Sequence, residues 1–204
     1  MKYFLTFILC FITFSFVIAS FDKDMKYHNK PYSYVNFSHH KAYACYFKLS
    51  DFGIIGYDYK IKIIGFIGYS ADNPADIYVT SKEKDGLPVC NPDNNWEGAD
   101  YGPKSWHINN SYPNYDDCNL YDDNWHYSKY IDKFWCMYYV KSYPSPDPLA
   151  TDYSEPKNSF TFWSHCWTKG TYSVYRDWCM HCVIVYWGAD IENTSLGVVK
   201  ALFK

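Results

Sequence analysis

The sequence predicts an exported α+β domain in which strands come first and helices follow. Three observations carry this reading. An export-type segment opens the chain, apolar runs punctuated by glycine lie between residues 42 and 80, and apolar residues at helical spacing recur from residue 127 onward.

The N-terminal segment has the three parts of an export signal. Lys2 gives a positive start, Phe4 to Ile18 form an apolar stretch, and Val17 and Ala19 supply small residues at the −3 and −1 positions of a cleavage site. The apolar stretch is about 15 residues long, short of the roughly 20 that a spanning helix requires. The expected organisation is a signal peptide over 1–20 and a single domain over 21–204, with no membrane attachment after cleavage. The expected location is outside the cell or in the endolysosomal lumen. About 184 residues remain, enough for one domain with its own core.

The net charge is −3 and the lysines and arginines are scattered, which excludes strong, phosphate-dominated binding to long nucleic acid. Aromatic residues make up 22% of the chain, with 23 Tyr, 14 Phe and 8 Trp. That content fits a Tyr-rich core and surface, or stacking platforms for bases or sugars. Beyond the signal lie seven cysteines: Cys45, Cys90, Cys118, Cys136, Cys166, Cys179 and Cys182. In an oxidising compartment they predict up to three bridges and one thiol left over, with connectivity open. Sequons at Asn36, Asn109 and Asn193 fit a glycoprotein.

The strand candidates are Ala42 to Leu49, Tyr57 to Tyr69 and Ile77 to Thr80. Residues 85 to 125, rich in Asp, Asn, Pro and Gly, read as long loops that Cys90 and Cys118 would staple. Tyr127 to Lys141 has helical spacing through Tyr130, Phe134, Met137 and Tyr138. Phe160 to Lys169 and Val174 to Trp187 also read as helices, the second capped by Gly188, and Leu196 to Phe203 as a last one. Cys179 and Cys182 have CxxC spacing, but no second pair completes a zinc ligand set, and no metal or cofactor is expected. His28, His39, His40 and His126 read as solvated loop residues, and His181 as a helix-surface residue.

One segment carries a family resemblance. Residues 160 to 173 read FTFWSHCWTKGTYS. Phe162, Trp163, His165, Trp167 and Lys169 resemble in register the F-W-x-H-E-W-x-K-H-G-T-C active-site segment of the ribonuclease T2 family. Gly170-Thr171 follow after a one-residue gap. Ser111-Tyr-Pro-Asn-Tyr-Asp-Asp-Cys118 is similar to the family's G-S-Y-P-x-x-C, and the likeness extends over about residues 100 to 204. It implies a disulfide-stapled α+β fold, with a central antiparallel sheet flanked by helices. It also implies metal-free RNA cleavage by two histidines, one accepting the 2′-OH proton while the other protonates the leaving oxygen.

The pattern is eroded. Cys166 stands at the family's Glu, Gly170 (or a deletion) at its second His, and Tyr172 at a structural Cys. The first active-site segment is matched best by Trp106-His107-Ile108-Asn109, or by Ile77 to Pro88, which holds no histidine. The resemblance therefore implies catalytic remnants at His107, His165 and Lys169, and a cleft lined by Trp106, Tyr112, Trp163 and Trp167. It also implies a Cys118–Cys166 bridge in place of the lost partner.

The function expected on this basis is a secreted ribonuclease T2-like pseudoenzyme, a monomer, that binds RNA or nucleotides weakly with cleavage lost or very weak. The alternative expectation is a secreted effector that uses the fold as a shell to recognise an extracellular protein or glycan. A relocated active site, with His107 paired to His126 or His165, is the third.

Overall fold

The computed structural model describes residues 19–28, 33–34, 42–68, 73–108, 111–121, 123, 125–140, 149–152, 158–163, 166–169 and 177–188. Among them the chain forms fourteen strands and two short 3-10 turns, Leu49–Phe52 and Pro92–Asn94. The first seven strands are β1 (Ala19–Met25), β2 (Ser33–Tyr34), β3 (Ala42–Lys48), β4 (Asp58–Phe66), β5 (Asn73–Thr80), β6 (Glu83–Lys84) and β7 (Leu87–Pro88). The rest are β8 (Tyr101–Ile108), β9 (Asp116–Asn119), β10 (Lys133–Val140), β11 (Ala150–Thr151), β12 (Ser159–Trp163), β13 (Cys166–Lys169) and β14 (Met180–Gly188). The chain divides into two compact units, Met1–Phe21 with Trp187–Lys204, and Asp22–Tyr186. Nearly all described residues lie in the second.

That unit is built from a six-stranded sheet in the order β13-β12-β3-β10-β5-β8 and a four-stranded sheet in the order β1-β14-β4-β9. The ladders β3–β10, β5–β10, β3–β12, β12–β13, β5–β8 and β4–β9 are antiparallel. The inner faces of the two sheets share one apolar core: Tyr43, Cys45, Phe47, Phe134, Cys136 and Tyr138 from one sheet meet Tyr59, Ile61, Ile64, Phe66, Cys182 and Ile184 from the other. Ring pairs cross the gap directly. Tyr59 lies 5.8 Å from Phe134, and Phe66 lies 5.2 Å from Tyr138.

The α+β expectation is overturned, because no α-helix occurs among the described residues and strands dominate. The expected helices over Tyr127 to Lys141, Phe160 to Lys169 and Val174 to Trp187 are instead the strand β10, the β12–β13 pair and the strand β14. β10 shows why. Phe134, Cys136 and Tyr138 face the inner core, while Trp135 and Met137 face a second cluster on the outer side of the six-stranded sheet. A strand buried on both faces loses its polar alternation and reads as a continuous apolar run, which helical spacing fits equally well. The last expected helix, Leu196 to Phe203, lies outside the described residues.

The second cluster is roofed by the excursion between β5 and β8. There Trp96 stacks on Tyr78 with ring centroids 3.9 Å apart, and Trp167 Nε1 donates to the Cys90 carbonyl at 2.7 Å. Part of the expected 85–125 loop is thus strand: β8 pairs with β5, and β9 with β4. Gly102 hides β8 from the sequence. Its φ of 115° suits glycine, and a Cβ there would collide with the Tyr78 ring and the Ile77 carbonyl. The expected Cys90–Cys118 staple is not formed, because Cys90 belongs to the outer cluster and Cys118 to the inner core, on opposite sides of the six-stranded sheet.

Candidate functional site

The outer face of the four-stranded sheet is polar. On β14, Met180, Cys182 and Ile184 point into the core, so His181 points out. Its Nδ1 lies 2.7 Å from Asp24 Oδ1 on β1, and its Nε2 lies 2.8 Å from Asp117 Oδ1 on β9. The imidazole reaches β9 because β4, the intervening strand, carries Gly65 directly opposite Asp117. A Cβ at Gly65 would stand within 3.0 Å of both His181 Nε2 and Asp117 Oδ1. The glycine thus makes the bed on which the ring lies.

Tyr115 closes the ring from above, 3.9 Å away and tilted by 18°. Its hydroxyl hydrogen-bonds His28 Nε2. His28 is buried, and desolvation lowers its pKa to about 4 in spite of nearby Asp152. The ring is neutral at pH 7 and shares its Nε2 hydrogen bond with the Tyr115 hydroxyl. Its Nδ1 is buried with no hydrogen-bond partner among the described residues.

Further along the same face, Lys62 pairs with Asp22 on β1, and Lys60 and Lys62 lie 5.1 and 5.8 Å from the centre of the exposed Tyr121 ring. The chemistry of this face follows from its geometry. Both His181 nitrogens lie within hydrogen-bond distance of carboxylate oxygens, so both are occupied by Asp24 and Asp117. Such a ring has no free nitrogen with which to take a proton from a substrate, so it acts as a strut. Asp24 and Asp117 remain about half exposed, and each uses only Oδ1 on the histidine. Their second oxygens are left to accept from another donor. Among the described residues no cluster of His, Cys, Asp and Glu is arranged to hold a metal ion.

No family model, curated protein or solved structure matches the chain.

The residues singled out by the ribonuclease resemblance are not brought together. His107 lies on β8 and Lys169 on β13, the two opposite edges of the six-stranded sheet. Five strand spacings separate them, roughly 24 Å along the sheet. His126 lies beside the Tyr101 end of β8, where Trp125 stacks on Tyr101 at 4.9 Å, whereas His107 is near the other end. Six residues of strand put the two histidines roughly 20 Å apart, too far to share a phosphate.

The four expected cleft aromatics are scattered as well. Trp106 packs against the inner core, Trp167 is buried in the outer cluster, Tyr112 is exposed after β8, and Trp163 is placed by its backbone in β12. His165 and the sequons Asn36, Asn109 and Asn193 lie outside the described residues, as do His39, His40 and Tyr172. The expected Cys118–Cys166 bridge is not formed, since Cys118 is buried between the sheets and Cys166 is exposed on β13. Cys179 and Cys182 do not share a face. Three residues apart on an extended chain, they point to opposite sides, Cys179 toward Ile67 and Ala150 and Cys182 into the inner core.

Sequence reasoning missed His181, His28, Asp24, Asp117 and Tyr115. His28, read as a solvated loop residue, and His181, read as a helix-surface residue, are both buried. The available signal was Gly65 inside an apolar strand, a mark of close approach by another group.

Proposed function

We propose that this is an exported, non-catalytic binding protein that takes a glycan on the outer face of its four-stranded sheet. The observation that supports it is the pair of half-exposed carboxylates, Asp24 and Asp117, held in fixed orientation by His181 and Tyr115. Sugar hydroxyls donate well to pre-oriented carboxylates, and an exposed ring such as Tyr121 offers a stacking platform beside them. A catalytic reading would need a free base near a reactive group. Here the one central imidazole is committed on both nitrogens.

The test is calorimetric titration of the purified mature protein with a panel of neutral and acidic oligosaccharides. Asp117→Asn and Tyr121→Ala run alongside. Saccharide binding weakened tenfold or more by either substitution agrees with the proposal. Affinity unchanged in both variants would place recognition elsewhere. Binding to an RNA oligomer that mononucleotides displace, with no saccharide binding, would favour the ribonuclease-derived scaffold instead.

A further inference from the structure

Tyr115 stands between two buried histidines, which are 5% (His28) and 6% (His181) exposed. Its ring lies 3.9 Å from that of His181, and its hydroxyl hydrogen-bonds Nε2 of His28, whose ring centre is 5.7 Å away. His181 in turn holds Asp24 and Asp117 by one oxygen each. The two carboxylates, the strut between them, its cover and the anchor of that cover are one chain of contacts that ends at His28. Among the described residues only Tyr115 hydrogen-bonds the His28 ring, since Nδ1 is buried without a partner.

A neutral imidazole can occupy this place at the cost of one unmet nitrogen. A protonated one carries hydrogen on both nitrogens and needs two acceptors. Here the Tyr115 oxygen is one, and the second is lacking among the described residues. Tyr115 offers no counter-charge either, because burial keeps its phenol protonated. Of the charged groups around the ring, Asp152 after β11 and Asp24 on β1 favour the proton, while Lys26 and His181 oppose it. A buried charge with an unmet N–H is relieved when the ring turns out to water. We propose that His28 is an acid-sensitive latch: once protonated it leaves its place, Tyr115 comes off His181, and Asp24 and Asp117 lose the fixed orientation that holds a ligand. The proposal rests on the glycan reading only for what is then released.

Desolvation sets the pH window. With Tyr115 in place, His28 takes its proton only near pH 4, whereas a ring turned out to water takes it at the ordinary 6.5. Protons therefore favour the uncovered state below pH 6.5, and the latch stays shut above it. Between pH 7 and pH 5 the ratio of uncovered to covered protein rises about 20-fold. A ligand that needs the covered site loses up to the same factor.

The test uses the purified protein with His28→Gln and Tyr115→Phe beside it. Glutamine at 28 keeps a polar partner for the Tyr115 hydroxyl but takes no proton. Phenylalanine at 115 keeps a ring over His181 but cuts the link to His28, so one variant serves should the other fold poorly. The first readout needs no ligand: the nuclear Overhauser contact between the rings of residues 115 and 181, at pH 7 and pH 5. In the wild type it should drop by about half or more at pH 5, and in both variants it should stay the same. Full intensity in the wild type at pH 5, or an equal drop in all three proteins, overturns the proposal. The second readout is calorimetric titration at both pH values with a saccharide that binds at pH 7. From pH 7 to pH 5 the wild type should lose more affinity than His28→Gln, by up to about 20-fold. Any loss owed to the carboxylates themselves is common to both proteins, and an equal loss in both overturns the coupling to the site. No saccharide bound at pH 7, beside a ring contact that drops only in the wild type, overturns the glycan reading and leaves the latch standing. Saccharide bound at pH 7, with the ring contact intact at pH 5, overturns the latch and leaves the glycan reading standing.

Discussion

Replacing Gly65 by alanine tests the bed beneath His181. The added Cβ would come within 3.0 Å of His181 Nε2 and Asp117 Oδ1, where ordinary contact begins near 3.4 Å. The ring cannot lift away, because Tyr115 lies 3.9 Å above it and Asp24 holds its other nitrogen at 2.7 Å. The Nε2–Asp117 bond therefore breaks or the ring and its cover shift together. A hydrogen bond to a charged group such as the Asp117 carboxylate contributes about 1.5–3 kcal/mol. Asp117 is 46% exposed, so the low end applies after solvent screening. Overpacking adds about 1–3 kcal/mol. The expected loss is about 2–4 kcal/mol, read as a lower urea midpoint at unchanged slope. In a His181→Ala background the ring is gone and the half-exposed Asp117 carboxylate, no longer held by Nε2, can rotate away from the added Cβ, while alanine replaces a glycine in a strand. There its effect should be neutral or stabilising by up to ~1 kcal/mol. An equal cost in both backgrounds would refute the reasoning, since the space would then be bounded by something other than the imidazole.

His28 makes stability depend on pH. Its folded pKa, about 4, lies below the ordinary 6.5, so the unfolded chain binds the extra proton. Its contribution is complete above pH 6.5 and is lost as pH falls toward 4, by about 3 kcal/mol. His28→Gln should flatten the urea stability curve by about one proton across that window, and an unchanged slope would exclude His28. Asp123, held low by the hydrogen bond from Tyr101, adds acid sensitivity only below the ordinary carboxylate range. Trp167→Phe removes the 2.7 Å bond to the Cys90 carbonyl and should cost about 1–2 kcal/mol in thermal or urea unfolding. Incubation with a fluorescent RNA oligomer at pH 4 to 8 should give no cleavage beyond buffer, because His107 and Lys169 occupy opposite sheet edges.

Local chemistry was legible where it acts locally. The strands at Ala42 to Leu49, Tyr57 to Tyr69 and Ile77 to Thr80 are found close to their expected places, because aromatic residues in the first and β-branched residues in the other two favour the extended chain. The helical readings failed where strands are buried on both faces. For β10 the deciding fact is that Trp135 and Met137 are buried in the outer cluster, where Trp135 meets Phe160, a residue 25 positions away, and Trp96 and Trp167 add to the cover. The site lay beyond reach for the same reason. Asp24, Asp117 and His181 are spread over more than 150 residues, and only the sheet order β1-β14-β4-β9 sets them side by side. The cysteines divide likewise. Their number was plain in the sequence, but only the fold puts Cys90 in the outer cluster and Cys118 in the inner core, where the two sulfurs do not meet. Spacing along a chain fixes which way neighbouring side chains point, whereas long-range pairing is chosen by the free energy of burying whole faces together.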